Sequence, residues 1–429
     1  MKKLIFATAV LAAIPTLGLA QETGISGEAT FVFNSLLLLV GGLLVFLMHV
    51  GFAMLEGGLV QEKNLTTQMI KNFGLFLVSM VCYFLIGYNL MYPLGDWVLE
   101  GYLSANWIWA SVEPVAATAG DVDIFYATTG SDFFFQIMFC AAAATIVSGT
   151  IAERMRVGPF LIFVVVLAAF IYPIQGSWKW GGGFLDAAGF LDFAGSTIVH
   201  SVGGWAALTA AIILGPRLGK YNADGTINPI KGYSVPLATL GGFLLWIGWF
   251  GFNGASQLAL GSVADVADVS RIFVNTNAAA IGGGLVAFLL TTLVYKKMSL
   301  PMILNGSLGG LVAITAEPLF PSMMLATLIG GLGGAIVVFG VDLLDRLRID
   351  DVVSAIPVHL FAGVFGTLVV PLSNGAASFG AQLLGVGVYA ASTVILTALT
   401  WVLINIFIGL RVSEDVEVSG MDSVLGDQN

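Results

Sequence analysis

Eleven apolar segments, each long enough to cross a bilayer, constrain the fold of this chain more than any other feature. A helix needs about 20 residues to span the hydrocarbon core. Only 10% of the 429 residues are charged, against roughly a quarter in soluble domains. We therefore predict an all-α membrane protein, embedded in a lipid bilayer, with 11 transmembrane helices. The predicted segments are 31–57, 72–93, 132–152, 157–178, 194–216, 233–254, 272–295, 299–316, 321–343, 352–372 and 383–410.

The first 20 residues have the pattern of a secretory signal. Lys2 and Lys3 precede a short apolar run, and Ala20 ends a stretch of small residues that suits a cleavage site. We expect residues 1–20 to be a signal peptide and the mature chain to begin near Gln21, with its N-terminus in the periplasm. The rival interpretation, an uncleaved first helix, requires a longer apolar run.

The Lys and Arg residues fix the expected orientation, because cationic loops stay on the cytoplasmic side. With the mature N-terminus outside, the outer connections carry only Lys179 and Arg271. The inner connections carry Lys63, Lys71, Arg154, Arg156, Arg217, Lys220, Lys231, Lys296, Lys297, Arg346, Arg348 and Arg411. We expect a multi-pass protein of the cytoplasmic (inner) membrane. Its membrane domain is predicted at 21–410 and a short cytoplasmic tail at 411–429.

An internal repeat relates two distant segments. Asp192 is followed eight residues later by His200, and Asp351 is followed eight residues later by His359. The two copies begin the fifth and tenth predicted spans, so they enter the membrane from opposite sides. This pattern predicts an inverted repeat of five plus five helices with an eleventh helix added. Transport proteins are often built in this way, with the working site near the bilayer midplane.

The chain has 3 histidines, and all lie within predicted spans. Eight helical residues at about 1.5 Å each would place His200 and His359 roughly 12 Å below their aspartates. Ionisable groups at that depth usually face a pathway or a partner. We expect these two rings to meet at the pseudo-two-fold axis and to line a pore, and to be neutral because burial disfavours charge. For His49, which has no counterpart, a packing role is favoured.

The two aspartates precede helices, where a carboxylate can cap free backbone N–H groups and suits the helix dipole. We interpret Asp351 as structural. For Asp192 two interpretations stay open, capping alone or additional stabilisation of a cation held above it.

Aromatic residues form a second candidate cluster on the outer side. Trp180 precedes three glycines, Phe135 and Phe139 lie one turn apart, and Phe252 is followed four residues later by Ser256. A desolvated Trp face attracts a small cation by about 2 kcal/mol, and a Ser hydroxyl can accept a hydrogen bond from it. Phe rings beneath would block water and hydrated ions. The alternative is the aromatic belt common to membrane proteins.

Several other functions lack support in the sequence. The 2 cysteines lie in apolar runs, and no Cys or His cluster indicates a metal site. The sequence contains no basic cluster of the kind that binds nucleic acid. It also contains no nucleophile–base set or cofactor loop of the kind that enzymes use. We expect neither a metal nor a cofactor.

Five stretches of the chain together resemble the ammonium transporter (Amt) family. They are Trp180-Gly-Gly-Gly, Leu191 through His200, Ile151-Ala-Glu-Arg154, Trp246 through Asn253, and Asn305 through Ala316. The resemblance covers nearly the whole mature chain.

The resemblance implies a homotrimer with one pore in each subunit that transports ammonium or ammonia. Trp180, Phe139 and Ser256 would form the outer recruitment site, supported by Asp192. Phe139 and Phe252, with Phe135 nearby, would form the gate. Ammonium would lose its proton near the gate and pass as ammonia between His200 and His359.

The chain also departs from the family. Its tail ends at Met421 through Asn429 without the usual closing His-Gly-Glu, which puts regulation by the PII protein in doubt. Glu56 stands where many bacterial relatives have an aromatic residue. Two alternatives remain: an ammonium sensor that signals through partners, and an Rh-type gas channel. Trp180 and Ser256 favour an ammonium recruiter over the latter.

Overall fold

The structure is a computed structural model that describes residues 26–105 and 126–425, so the expected signal peptide lies outside the described residues. The described part is almost entirely helical. Its apolar helices, numbered α1 to α11 in chain order, are Gly27–Leu59, Glu62–Met91, Thr129–Thr150, Val157–Ser177, Ser196–Leu214, Val235–Gln257, Val263–Val294, Leu300–Ile314, Met323–Arg346, Ile356–Leu372 and Phe379–Phe407. Nine of these are long and apolar enough to cross a membrane, and α8 and α10 are shorter.

Each helix matches one predicted segment, but α2 and α7 begin about ten residues earlier than predicted, at Glu62 and Val263. Both helices open with polar turns, which need backbone hydrogen bonds but no lipid contact. The apolar run therefore underestimates their length. Side-chain caps fix several starts, since a hydroxyl accepts a backbone N–H of the first turn. These caps are Ser26, Thr128, Ser234, Ser262, Ser322 and Ser378.

Small elements decorate the two ends of the bundle. Strands β1 (Trp97–Leu99) and β2 (Leu103–Ser104) form an antiparallel hairpin. A helical turn at Phe184–Ala187 follows α4. After α11, helix α12 (Glu414–Ser419) and a 3₁₀ turn (Met421–Val424) fold back onto the bundle. Arg154 lies just before α4 and Trp180 just after it, so the two residues mark opposite ends of the bundle. We call these the Arg154 end and the Trp180 end.

The two halves of the bundle meet along α5 and α10. Each of these helices begins with a π-helical segment that contains a histidine, Ser196–Ser201 in α5 and Ile356–Phe361 in α10. Gly195 and Ser354, each three residues after its aspartate, both have left-handed backbones, with φ of 107° and 64°. These matched features agree with the predicted inverted repeat.

Close contact between the halves depends on small residues, as in other membrane bundles. A Cβ on Gly204 would lie 2.7 Å from Leu360 N, and a Cβ on Gly363 would lie 2.5 Å from Ser196 O. Thr197 Oγ1 and Thr367 Oγ1 share a 2.7 Å hydrogen bond across the same boundary. The backbones of α5 and α10 can therefore approach closely enough for their histidines to touch.

The predicted depth of the histidines below the aspartates is wrong. Residues 192–195 are not helical, and α5 begins at Ser196. Four residues of helical rise, about 6 Å, therefore separate the start of α5 from His200. The sequence estimate failed because it treated the capping loop as helix.

Candidate functional site

His200 and His359 contact each other at the centre of the bundle. Their Nδ1 atoms lie 3.1 Å apart, and their ring centroids are 5.2 Å apart with planes inclined by 20°. Both side chains are buried. One shared hydrogen bond requires one Nδ1 to donate and the other to accept, so the geometry fits a pair of neutral rings.

Aromatic rings enclose this pair. Trp249 stacks on the His200 ring at 5.0 Å and 17°, and its Nε1 donates to Thr315 Oγ1 at 2.8 Å. Phe52 lies 5.8 Å from the His359 ring. Sequence reasoning did not single out Trp249 or Phe52. The available signal was spacing, because Trp249 lies three residues before Phe252 and therefore on the same helix face.

Above the histidines, the predicted aromatic residues form one column. Phe252 lies 5.2 Å from His200, and Phe139 stacks on Phe252 at 4.1 Å and 29°. Trp180 meets Phe139 edge-on at 6.1 Å and 85°. Phe135 is packed beside Phe139 at 4.6 Å. The ring contacts therefore run in order from Trp180 through Phe139 and Phe252 to His200.

Asp192 anchors the start of this column. Its carboxylate accepts backbone N–H groups of Gly195, Thr197 and Ile198 at 3.2, 2.9 and 2.8 Å. Its carbonyl oxygen accepts the Trp180 indole N–H at 3.1 Å. Asp192 therefore caps α5 and fixes the position of Trp180.

The remaining predicted residues are Ser256, Asp351 and His49, whose rings or side chains are not part of the aromatic column. Ser256 Oγ donates to Phe252 O at 2.7 Å, which leaves its lone pairs able to accept. Asp351 accepts Ile356 N at 2.7 Å and Thr150 Oγ1 at 3.0 Å, as a structural cap would. His49 lies apart from the central pair, with its Nε2 3.2 Å from Met138 O.

A buried ionic cluster occupies the Arg154 end, outside the membrane helices. Arg217 binds both carboxylate oxygens of Asp350, at 2.7 and 2.9 Å, and binds Glu153 at 2.6 Å. Burial opposes ionisation of Asp350. The hydrogen bonds and charge of Arg217, together with the charge of Arg154, outweigh this effect and hold the pKa of Asp350 at about 2. Arg217 likewise lowers the pKa of Glu153 despite burial. Sequence reasoning missed this cluster.

The described residues contain no group of three or more His, Cys, Asp or Glu side chains placed to hold a metal ion. The arrangement offers instead an aromatic surface, a closed stack of rings and two hydrogen-bonding imidazoles.

Comparison with known proteins places this geometry in context. Residues 36–429 match the model of the Ammonium Transporter Family. The ammonium transporter Amt2 of Archaeoglobus fulgidus is 38% identical over 426 residues, which cover 90% of this chain and 85% of that protein. An ammonium transporter of Bacillus subtilis is 34% identical over 414 residues, 92% of this chain and 96% of that protein.

Solved structures give the same result. The structure named Sensor Amt Protein superposes with a TM-score of 0.86 at 34% identity, and the match covers 94% of this chain and 100% of that one. The fold, the paired histidines and the length of the family match agree with one another. The chain therefore belongs to the ammonium transporter family, and it is an ammonium transport protein rather than an enzyme.

Proposed function

We propose that ammonium is recruited at the Trp180 end, loses its proton near the phenylalanine stack, and crosses as neutral ammonia past His200 and His359. The supporting observation is the unbroken column of ring contacts that ends on two mutually bonded imidazoles. A bare cation in this apolar passage would lose several kcal/mol of solvation. Ammonia loses far less.

The imidazole pair offers ammonia a hydrogen-bonding surface. His200 Nε2 is buried and has no hydrogen-bond partner within the described ranges 26–105 and 126–425. A buried polar atom without a partner costs free energy. Ammonia, which both donates and accepts, would satisfy this nitrogen as it passes.

Recruitment in this proposal uses Trp180, Phe139 and Ser256. The Trp180 face attracts the cation, the Ser256 hydroxyl accepts a hydrogen bond from it, and Asp192 holds the indole in place. Phe139 and Phe252 form the gate, with Phe135 supporting Phe139. Their rings must move apart for ammonia to pass, because their centroids lie 4.1 Å apart.

The proposed setting follows from charge and family. The Arg154 end carries most of the Lys and Arg residues, so we assign it to the cytoplasm. The protein would lie in the inner membrane as a homotrimer. Residues 1–20 would be a removed signal peptide, 21–410 the membrane domain and 411–429 a cytoplasmic tail.

The test is methylammonium flux, recorded together with current, in proteoliposomes that contain wild-type protein or the H200L/H359L variant. The proposal requires flux by the wild type and its loss in the variant, because leucine fills the space but offers no hydrogen bond. H49L is the matched control and should conduct normally. Undiminished flux in a correctly folded H200L/H359L protein would refute the role of the pair.

A second candidate function is ammonium sensing, favoured by the high similarity to the structure named Sensor Amt Protein. The same assay separates the two functions. A sensor would bind ammonium with little flux, whereas a transporter would carry it. An Rh-type gas channel would also carry flux, but its flux would not depend on ammonium recruitment at Trp180 and Ser256.

A further inference from the structure

A narrow cavity lies beneath the histidine pair, on the side of the Arg154 end. Its lining is mostly apolar, and its polar members are His359, Glu56, Thr145 and Asn305. Glu56 is the one carboxylate among the described lining residues, and its side chain is 1% exposed. A solute that passes His359 toward this end therefore enters a cavity whose lining includes a carboxylate.

The surroundings of Glu56 suit an ionised carboxylate. Gln68 Nε2 donates to it at 2.5 Å, Asn72 Nδ2 at 2.7 Å, and Ser148 Oγ at 2.8 Å. All three groups are donors, and an ionised carboxylate can only accept. These donors come from α2 and α3, so two neighbouring helices hold Glu56 against the cavity.

Lys71 provides an independent observation. It lies on α2 between two of the groups that hold Glu56, and its side chain is fully buried. Lysines near helix ends normally extend their ammonium group to water. Within the described part of the chain, Lys71 Nζ is buried and has no hydrogen-bond partner. Lys71 Nζ therefore makes no direct bond to Glu56.

An unpartnered ammonium group is costly inside a membrane, and such groups mark functional positions. A buried ion pair offsets its desolvation cost only when its two groups meet in good geometry. Here Glu56 lines the cavity and neutral donors hold its carboxylate, while Lys71, on the same stretch of α2 as two of those donors, has no direct partner. The cavity that Glu56 lines is large enough for one water-sized molecule or ion.

We propose that Glu56 is an inner ammonium-binding site, an inference that rests on the function proposed above. Ammonia that leaves His359 takes a proton from hydronium at the Arg154 end, which forms one N–H bond and yields ammonium and water. The Glu56 carboxylate stays ionised and holds this ammonium as its counter-ion. Lys71 balances the carboxylate charge once ammonium has left.

The test uses charge-matched variants in the proteoliposome flux assay, with thermal unfolding in detergent as the folding control. E56Q removes the carboxylate charge but leaves Lys71 buried and uncompensated. E56Q/K71M removes both charges, so it should unfold near the wild-type temperature. We expect both variants to lose about tenfold or more in flux, because a hydrogen bond to a charged group is replaced by a neutral one. E56D, which keeps the charge, should retain more flux than E56Q.

The decisive comparison is between stability and flux in the double variant. If Glu56 only braces α1 against α2 and α3, E56Q/K71M will regain wild-type flux together with stability, and the proposal is wrong. E317Q is the matched control, because Glu317 is also buried and binds Asn374 at 2.7 Å but does not line this cavity; it should conduct normally. If E56Q and E56Q/K71M both fail to fold, E56D decides: reduced flux in an E56D protein that unfolds at the wild-type temperature supports the site, because the shorter side chain displaces the carboxylate, and wild-type flux overturns it. Absence of wild-type flux would instead contradict the proposed function itself.

Discussion

Replacing Arg217 should destabilise the protein more than removing any exposed charge. Its guanidinium makes three short hydrogen bonds, two to Asp350 and one to Glu153. R217M would leave both carboxylates buried without their main partner. Breaking a buried ion pair from one side costs about 3–5 kcal/mol. R217K keeps the charge but cannot bind both Asp350 oxygens in the same way, so it should lie between R217M and the wild type.

The assay is thermal unfolding in detergent, followed by tryptophan fluorescence. The matched control is K220M, because Lys220 pairs with Asp345 at 3.1 Å where both side chains are partly exposed. Such a pair contributes about 0–1 kcal/mol. We expect unfolding temperatures in the order wild type, K220M, R217K, R217M, with the first two close together. An R217M protein that unfolds at the temperature of K220M would show that the cluster does not stabilise the bundle.

Three further predictions concern other parts of the fold. The pKa of Asp350 is about 2 in the folded protein and about 3.9 in the unfolded chain. Its ionisation therefore stabilises the protein fully above pH ~4, and this contribution is lost as the pH falls toward 2. D350N should show a smaller loss of unfolding temperature than the wild type over that interval. Asp422 accepts the backbone N–H groups of Thr66 and Thr67 at 2.9 and 2.7 Å, where the α-helical part of α2 begins after a 3₁₀ turn, so D422A should cost about 1 kcal/mol and expose the tail to limited proteolysis. A Cβ on Gly330 would lie 2.0 Å from Ala279 O, whereas a Cβ on Gly387 would meet nothing within 4 Å; G330A should therefore reduce the yield of folded protein, measured by size-exclusion chromatography, and G387A should not.

The sequence predicted the parts of the fold that depend on local composition and on the repeat. Apolar length located eleven helices, and the matching spacing in two halves brought His200 and His359 together. The aromatic residues at Trp180, Phe139 and Phe252 were also found, because their chemistry and their positions at helix ends are visible in the sequence.

Pairings between distant polar residues were not predictable in this way. Arg217 is 133 residues from Asp350 and 64 from Glu153, and no periodicity links them. The same holds for Asp422, which caps a helix 355 residues earlier. The sequence also marked Glu56 as unusual without an explanation, since its partners come from two other helices.

The π-helical segments at the start of α5 and α10 have a consequence for how these helices can vary. Each residue of an α-helix turns the chain by about 100°. Deleting a single residue between Ser196 and His200 would therefore rotate the imidazole by roughly a quarter turn away from His359. The length of this segment, and not its composition alone, keeps the two rings in register. Substitutions there should be tolerated far better than any insertion or deletion.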